Sequence, residues 1–250
     1  MLQIGEEMCL MNSYRLFLYL LIVLVCFSAS LLADEPVSFT PPDTYYAGDG
    51  PYCVFASDLD GDGDDDLSAV SHNSGKAYIL INNGDGVFQD AIGYDAGNNP
   101  VSVFAVDLDG DSDKDLAVAN SMANEITILL NAGSGTFEPS PDSALTVGSR
   151  PLSIYAADFD SDNDYDLAVA NRLMDSVSIL FNNGDATFQN PVNYYGGNGP
   201  YMLFADDFNG DSEIDLAVAN FDSNRISILL NQGDGVFPVA QSYVYDVGTS

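Results

Sequence analysis

The chain has 250 residues, with 38 Asp and Glu against 6 Lys and Arg and a formal net charge of -32 at pH 7. Its bases (Arg15, Lys76, Lys114, Arg150, Arg172 and Arg225) lie far apart in sequence. Phosphate contacts need a clustered basic patch, so a nucleic-acid binder is excluded, and an anionic membrane surface by the same reasoning. Hydrophobic residues at 46% and aromatics at 11% are too many for disorder, so the acid sits within a folded chain and demands a counter-cation. One His, and Cys53 as the only cysteine beyond the first 33 residues, exclude a disulfide scaffold and a Cys/His zinc site in the mature chain.

Residues 1–33 read as a secretory signal peptide. Arg15 precedes the apolar run Leu16 to Phe27, which gives way to small residues and then to Asp34-Glu35, with cleavage expected after Ser30 or Ala33. The alternative is an uncleaved anchor, for which the segment is short. In either case the remainder, 34–250, is expected outside the cytoplasm, secreted or at the cell surface.

Internal repetition then sets the architecture. Phe39, Phe88, Phe137, Phe188 and Phe237 recur at spacings of 49, 49, 51 and 49, and Pro51, Pro100, Pro151 and Pro200 keep step with them. Four units follow, about 39–87, 88–136, 137–187 and 188–236, with a partial copy at 237–250. Each begins its apolar part with a short strand (Val54-Phe55-Ala56 and its equivalents). A DLAVAN-type strand follows (115–120, 166–171, 215–220), then a β-branched one (Ile126 to Asn131, Ile226 to Asn231). An Asn/Gly-rich turn leads to a more polar fourth strand, Phe88 to Tyr94, Phe188 to Tyr194 and Phe237 to Tyr243. No window outside the signal has a helical apolar face. Four strands per repeat of this size predict an all-β fold, a β-propeller of four-stranded blades.

The acidic decapeptides carry the chemistry. They read DLDGDGDDDL, DLDGDSDKDL, DFDSDNDYDL and DFNGDSEIDL. The candidate metal-ligating residues are Asp58, Asp60, Asp62, Asp64 and Asp66; Asp107, Asp109, Asp111, Asp113 and Asp115; Asp158, Asp160, Asp162, Asp164 and Asp166; and Asp207, Asn209, Asp211, Glu213 and Asp215. Oxygen side chains at loop positions 1, 3, 5 and 9, with a backbone carbonyl at 7, suit Ca2+, a hard cation that accepts six to eight oxygens; up to four ions are expected. Magnesium demands stricter geometry, and zinc would want His or Cys. An EF-hand is excluded because position 12 is Ala69, Val118, Val169 or Val218, inside a strand, where an EF-hand has Glu.

These loops, with their LAVAN strands, ILLNNGDG-type turns and Y-x-x-G-x-x-P spacers, resemble the FG-GAP/VCBS-type repeat of integrin α-chain-like propellers. The resemblance covers residues 39–237. It implies extracellular, calcium-bearing blades, commonly seven to a ring, with metal loops that are structural and ligand recognition on other loops. The chain shows only four copies, and residues 39–50 and 237–250 are both copies of one outer-strand segment. It is therefore expected not to close a ring by itself and to belong with further repeats of a longer chain.

No catalytic residues are identified. His72 has Ser121, Arg172 and Phe221 at the same place in the other copies, and no nucleophile-elbow, nucleotide or metal-hydrolase motif occurs. The expected function is a non-catalytic binding or adhesion module for a protein or glycan partner. Its alternatives are an accessory domain of a longer secreted enzyme, a hydrolase or lyase, and a purely structural surface protein.

Overall fold

In the computed structural model, residues 43–141, 144–238 and 243–246 are described, and the signal segment lies outside them. Residues from Tyr45 onward form one compact unit. Its first blade contains β1 (Pro51–Ser57), β2 (Asp66–Ser71), β3 (Lys76–Leu80) and β4 (Ile92–Asp95). The second contains β5 (Pro100–Val106), β6 (Asp115–Asn120), β7 (Glu125–Asn131) and a fourth place divided between β8 (Phe137–Pro139) and β9 (Leu145–Thr146), both paired with β7. The third contains β10 (Pro151–Ala157), β11 (Asp166–Asn171), β12 (Ser176–Leu180) and β13 (Val192–Tyr195). The fourth contains β14 (Pro200–Asp206), β15 (Asp215–Asn220), β16 (Arg225–Leu229) and β17 (Tyr243–Asp246). All pairings are antiparallel and follow chain order, as in propeller blades. Among the described residues the only helical turn is a 3-10 turn, Arg172–Met174.

Each inner strand opens on a proline, at the strand's first residue where a ladder N–H is least needed, and a register shift follows two residues later. β1 packs beside β5, β5 beside β10 and β10 beside β14. Three apolar clusters fill the gaps between successive blades. Between blades 2 and 3, for example, Ala117, Ala119 and Ile128 meet Ile154, Leu167 and Val169. DLAVAN is apolar on both faces because a second strand that lies between two neighbouring blades is covered on both sides; in blades 2 and 3 every residue of it is buried. Burying one such Ile or Leu contributes roughly 1.5–3 kcal/mol.

The fourth strand departs from the continuous segment expected from the sequence. Phe88 and Phe188 form isolated bridges with Asn82 and Asn182, and regular pairing resumes only at Ile92 and Val192. Pro191, and Pro139 with Pro141 in blade 2, cannot donate ladder bonds and account for the break there. Blade 1 breaks at the same place with no proline, and nothing in the structure explains it.

Candidate metal centres and the opposite end of the blades

The first and second strands of each blade are joined by the acidic loop, and the second and third by a short turn. Antiparallel order therefore puts the acidic loops at one end of the blades and the short turns at the other.

Within each loop, positions 4 and 6 have left-handed backbone. They are Gly61 and Gly63 in the first loop, but Ser161 (φ 63) and Asn163 (φ 75) in the third. This coil turns the carboxylate at position 1 back on its own loop. Asp58 accepts the Gly61 and Gly63 amides at 2.8 and 3.1 Å, and Asp107 accepts those of Gly110 and Ser112 at 2.8 and 3.0 Å.

Position 9 is a latch. Asp115 Oδ2 accepts the Leu108 N–H and Oδ1 the Asn131 N–H, each at 2.8 Å, tying the loop to the end of the third strand. Asp66, Asp166 and Asp215 hold the equivalent pair of amides. All four are fully buried. Burial pushes the Asp115 and Asp166 carboxyls up to about 7, against the pull of those two amides.

Three groups of carboxylate oxygens lie within 4.8 Å of one another: Asp58, Asp60 and Asp62; Asp107, Asp109 and Asp115; Asp158, Asp160 and Asp166. Each could hold a metal ion. Asp160 Oδ1 is buried with no hydrogen-bond partner, which is what a carboxylate aimed at a cation presents. Burial, joined by the charge of neighbouring carboxylates, raises Asp60, Asp109 and Asp160 above their ordinary value. Hard oxygen donors in this number fit a hard divalent cation.

Among the described residues the fourth loop forms no such three-acid group. Position 3 is Asn209, whose amide donates to Asp211 Oδ2 at 2.9 Å, and the amides led by Gly210 hold Asp207 below its ordinary value. Asp111 and Asp162 stand outside the groups of their loops and accept the Asp113 and Asp164 amides, both at 2.9 Å. Position 7 side chains point elsewhere. Asp64 and Asp164 lie over Gly84 and Gly184 of the next turn, where a Cβ would come within 2.7 and 2.5 Å of a carboxylate oxygen, and Asp113 lies similarly over Gly133. Glu213 accepts the Ser161 hydroxyl of the neighbouring blade at 3.2 Å.

At the other end stand four of the five bases among the described residues, namely Lys76, Arg150, Arg172 and Arg225, leaving Lys114 within its acidic loop. Arg172 pairs with Asp222 at 2.8 Å, and its guanidinium lies 4.8 Å from the centre of the Phe221 ring. Phe221 stacks on Tyr201 at 5.7 Å, and the Tyr201 and Tyr52 hydroxyls, from blades 4 and 1, are 3.2 Å apart. His72 is half-buried, with Nδ1 2.9 Å from the Gly50 carbonyl and its ring edge-on to Tyr52. Sequence reasoning treated this position only as variable. The signal was present, since one repeat position carries His72, Ser121, Arg172 and Phe221.

Four antiparallel blades with an acidic loop at one end of each define a β-propeller repeat protein. Residues 58–118 and 107–169 match the FG-GAP-like repeat family, so the chain carries FG-GAP-like repeats. No curated protein matches the sequence. Among solved structures the fold resembles a Bacteroides uniformis protein provisionally assigned as a 6-phosphogluconolactonase, at TM-score 0.59 and 17% identity over 78% of this chain and 55% of that one. It also resembles BBS1N, crystallised with ARL6DN (TM-score 0.51, 18% identity, 84% and 60% of the two chains), and a streptogramin B lyase (TM-score 0.50, 19% identity, 81% and 56%). The chain thus spans little more than half the length of each, and at these identities the likeness shows the fold alone.

Proposed function

We propose that the protein is an exported β-propeller module whose acidic loops bind Ca2+ and whose opposite end binds a protein or glycan partner without catalysis. The observation that carries the metal reading is the Asp158, Asp160 and Asp166 group, together with the buried, unpartnered oxygen of Asp160. Positions 1 and 3, with 5 in the first loop and 9 in the second and third, would hold the ion, which supplies positive charge to buried acids and cross-links the loop to the hairpin behind it.

Support for a binding role at the other end comes from exposed Tyr52, Tyr201 and Phe221 beside the Arg172–Asp222 pair. Aromatic faces and paired charges suit protein and sugar contacts. Among the described residues no helix is long and apolar enough to cross a membrane. Export rests on the leader-like residues 1–33.

Titration calorimetry tests the reading. Calcium should bind with a stoichiometry above one, and Asp160→Asn should remove one site. Absence of calcium binding in protein shown to be folded refutes it.

A further inference from the structure

Every blade has a forward face, toward the next blade, and a backward face. On blades 1 to 3 the forward positions are buried by the following blade, except Phe55, Phe104 and Tyr155, which are half-buried. On blade 4 the same positions, Phe204, Phe208, Ala219, Ile226 and Ile228, are exposed or half-exposed. Phe208 is 44% exposed where Leu59, Leu108 and Phe159 are 2%, 1% and 0%. The backward face of blade 1 is open along its inner strand, although Ala69 and Leu80 farther out are buried: Val54 is 61% exposed where Val103, Ile154 and Leu203 are 3%, 4% and 4%.

These faces are the two halves of one contact that the chain makes three times with itself. We propose that a second copy of this chain covers them, the forward face of blade 4 in one copy packing on the backward face of blade 1 in the other, so that two copies close one ring through two such junctions. Continuity with the internal interfaces specifies the contacts. The inner-strand rings run Phe55–Phe104–Tyr155–Phe204, with centroids 4.7, 4.9 and 5.6 Å apart, and the next step brings Phe204 onto Phe55 of the other copy. Asn131, Asn182 and Asn231 donate across each internal gap to the Leu59, Leu108 and Phe159 carbonyls, each at 2.8 Å. Asn82 is their equivalent, and its amide donates to its own blade's Asp65 carbonyl at 3.1 Å; across the junction it meets the Phe208 carbonyl of the other copy.

Met202 stands where Ser102 and Ser153 accept the Ile154 and Leu203 amides, so the junction has one bond fewer, as between blades 1 and 2, where the residue is Cys53. Asp206, at the rim, turns its carboxylate back to the Asp207 amide. Residues 45–50 and β17 occupy equivalent places in the repeat, so assembly displaces one of them at each junction. A contact between two different faces is heterologous, and two copies satisfy both faces at once. Copies each carrying -32 repel, so association strengthens with salt.

Sedimentation velocity on the full chain, in calcium and at tens of micromolar, tests this. The wild type should sediment at twice the 26.7 kDa chain mass, more completely at 0.5 M than at 0.05 M salt. Val54→Asp and Phe204→Asp should each weaken association by at least about 30-fold, the effect of losing one hot-spot contact. Mixed together they should recover a one-junction pair, since each retains the face the other has lost. Ala56→Asp and Ala219→Asp repeat the test on the same two faces. A monomeric wild type overturns the proposal. So does a Phe204→Asp protein that associates like the wild type, which would mean that blade 1 faces pair with each other. Association unchanged in both variants overturns it as well, by placing the contact elsewhere, as in the apolar segment Leu16 to Phe27.

Discussion

Asp160 and Asp166 share one acidic loop and do different work. Asp166 gives its two oxygens to the Phe159 and Asn182 amides at 3.0 and 2.8 Å, whereas Asp160 leaves one oxygen buried and unpaired. The first holds the loop shut whether or not a cation is present; the second keeps an oxygen that gains a partner only when one is. Replacing Asp166 by Asn turns an acceptor into a donor facing an N–H, and the calcium-free protein should lose about 1–3 kcal/mol of stability. Asp160→Asn should lower calcium affinity on the order of tenfold or more, while the calcium-free melting temperature stays level or rises, because a repelling charge is gone. Denaturant melts in EDTA beside calcium titrations separate the two. Equal losses of calcium-free stability in both variants would refute this division of roles. Sequence alone showed both residues as oxygen donors at alternating positions. It could not show the latch, because the second amide lies 16 residues downstream and arrives only when the hairpin folds.

At the scale of the blade, the strands and loops were legible because they recur, and a repeat exposes its pattern where a single copy would not. What stayed hidden runs between blades. Asn131 and Asn182 read as turn formers, yet their amides reach carbonyls 72 and 74 residues earlier, a bond with no local sequence signature. Asn182 Oδ1 also accepts the Gly184 amide at 3.1 Å, while Asn131 Oδ1 is buried without a partner. Asn131→Ala should therefore cost about 2 kcal/mol by leaving the Leu59 and Lys114 carbonyls unpaired, and Asn182→Ala should cost more. Chemical denaturation ranks them, and the reverse order would contradict the argument. The loops themselves are also unequal. Asn209 replaces an Asp at position 3, and no three-acid group forms in the fourth loop among the described residues. Affinity in such loops follows ligand charge and rigidity, so the fourth site should be the weakest. Calorimetry on proteins with the other loops disabled checks this; a fourth site tighter than the second or third would count against it.

Over the whole molecule, charge is distributed by end. The four decapeptides hold 20 of the 38 acids, counted as six, five, five and four along the chain. They gather where the loops lie, while four of the five described bases stand at the other end, too far to neutralise them. Folding must therefore concentrate like charge, and the cost depends on what screens it. Calcium bound only to the folded loops adds RT ln(1 + [Ca]/Kd) per site, about 2.7 kcal/mol at a hundredfold excess over Kd, and also offsets the repulsion. Salt offsets only the repulsion, and only part of it, because the carboxylates within one loop lie closer together than the Debye length of about 10 Å at 0.1 M. Chelation should thus lower the melting temperature at every ionic strength. The drop should be largest at about 0.01 M salt and smaller, but not abolished, at about 1 M. Calorimetric scans with and without EDTA across that range measure it. A melting temperature indifferent to chelation at low salt, with calcium shown to have been removed, would mean that the acidic loops fold as ordinary turns. A drop that vanishes in high salt would reduce calcium to general screening, with no ion held in the Asp107, Asp109 and Asp115 and the Asp158, Asp160 and Asp166 groups.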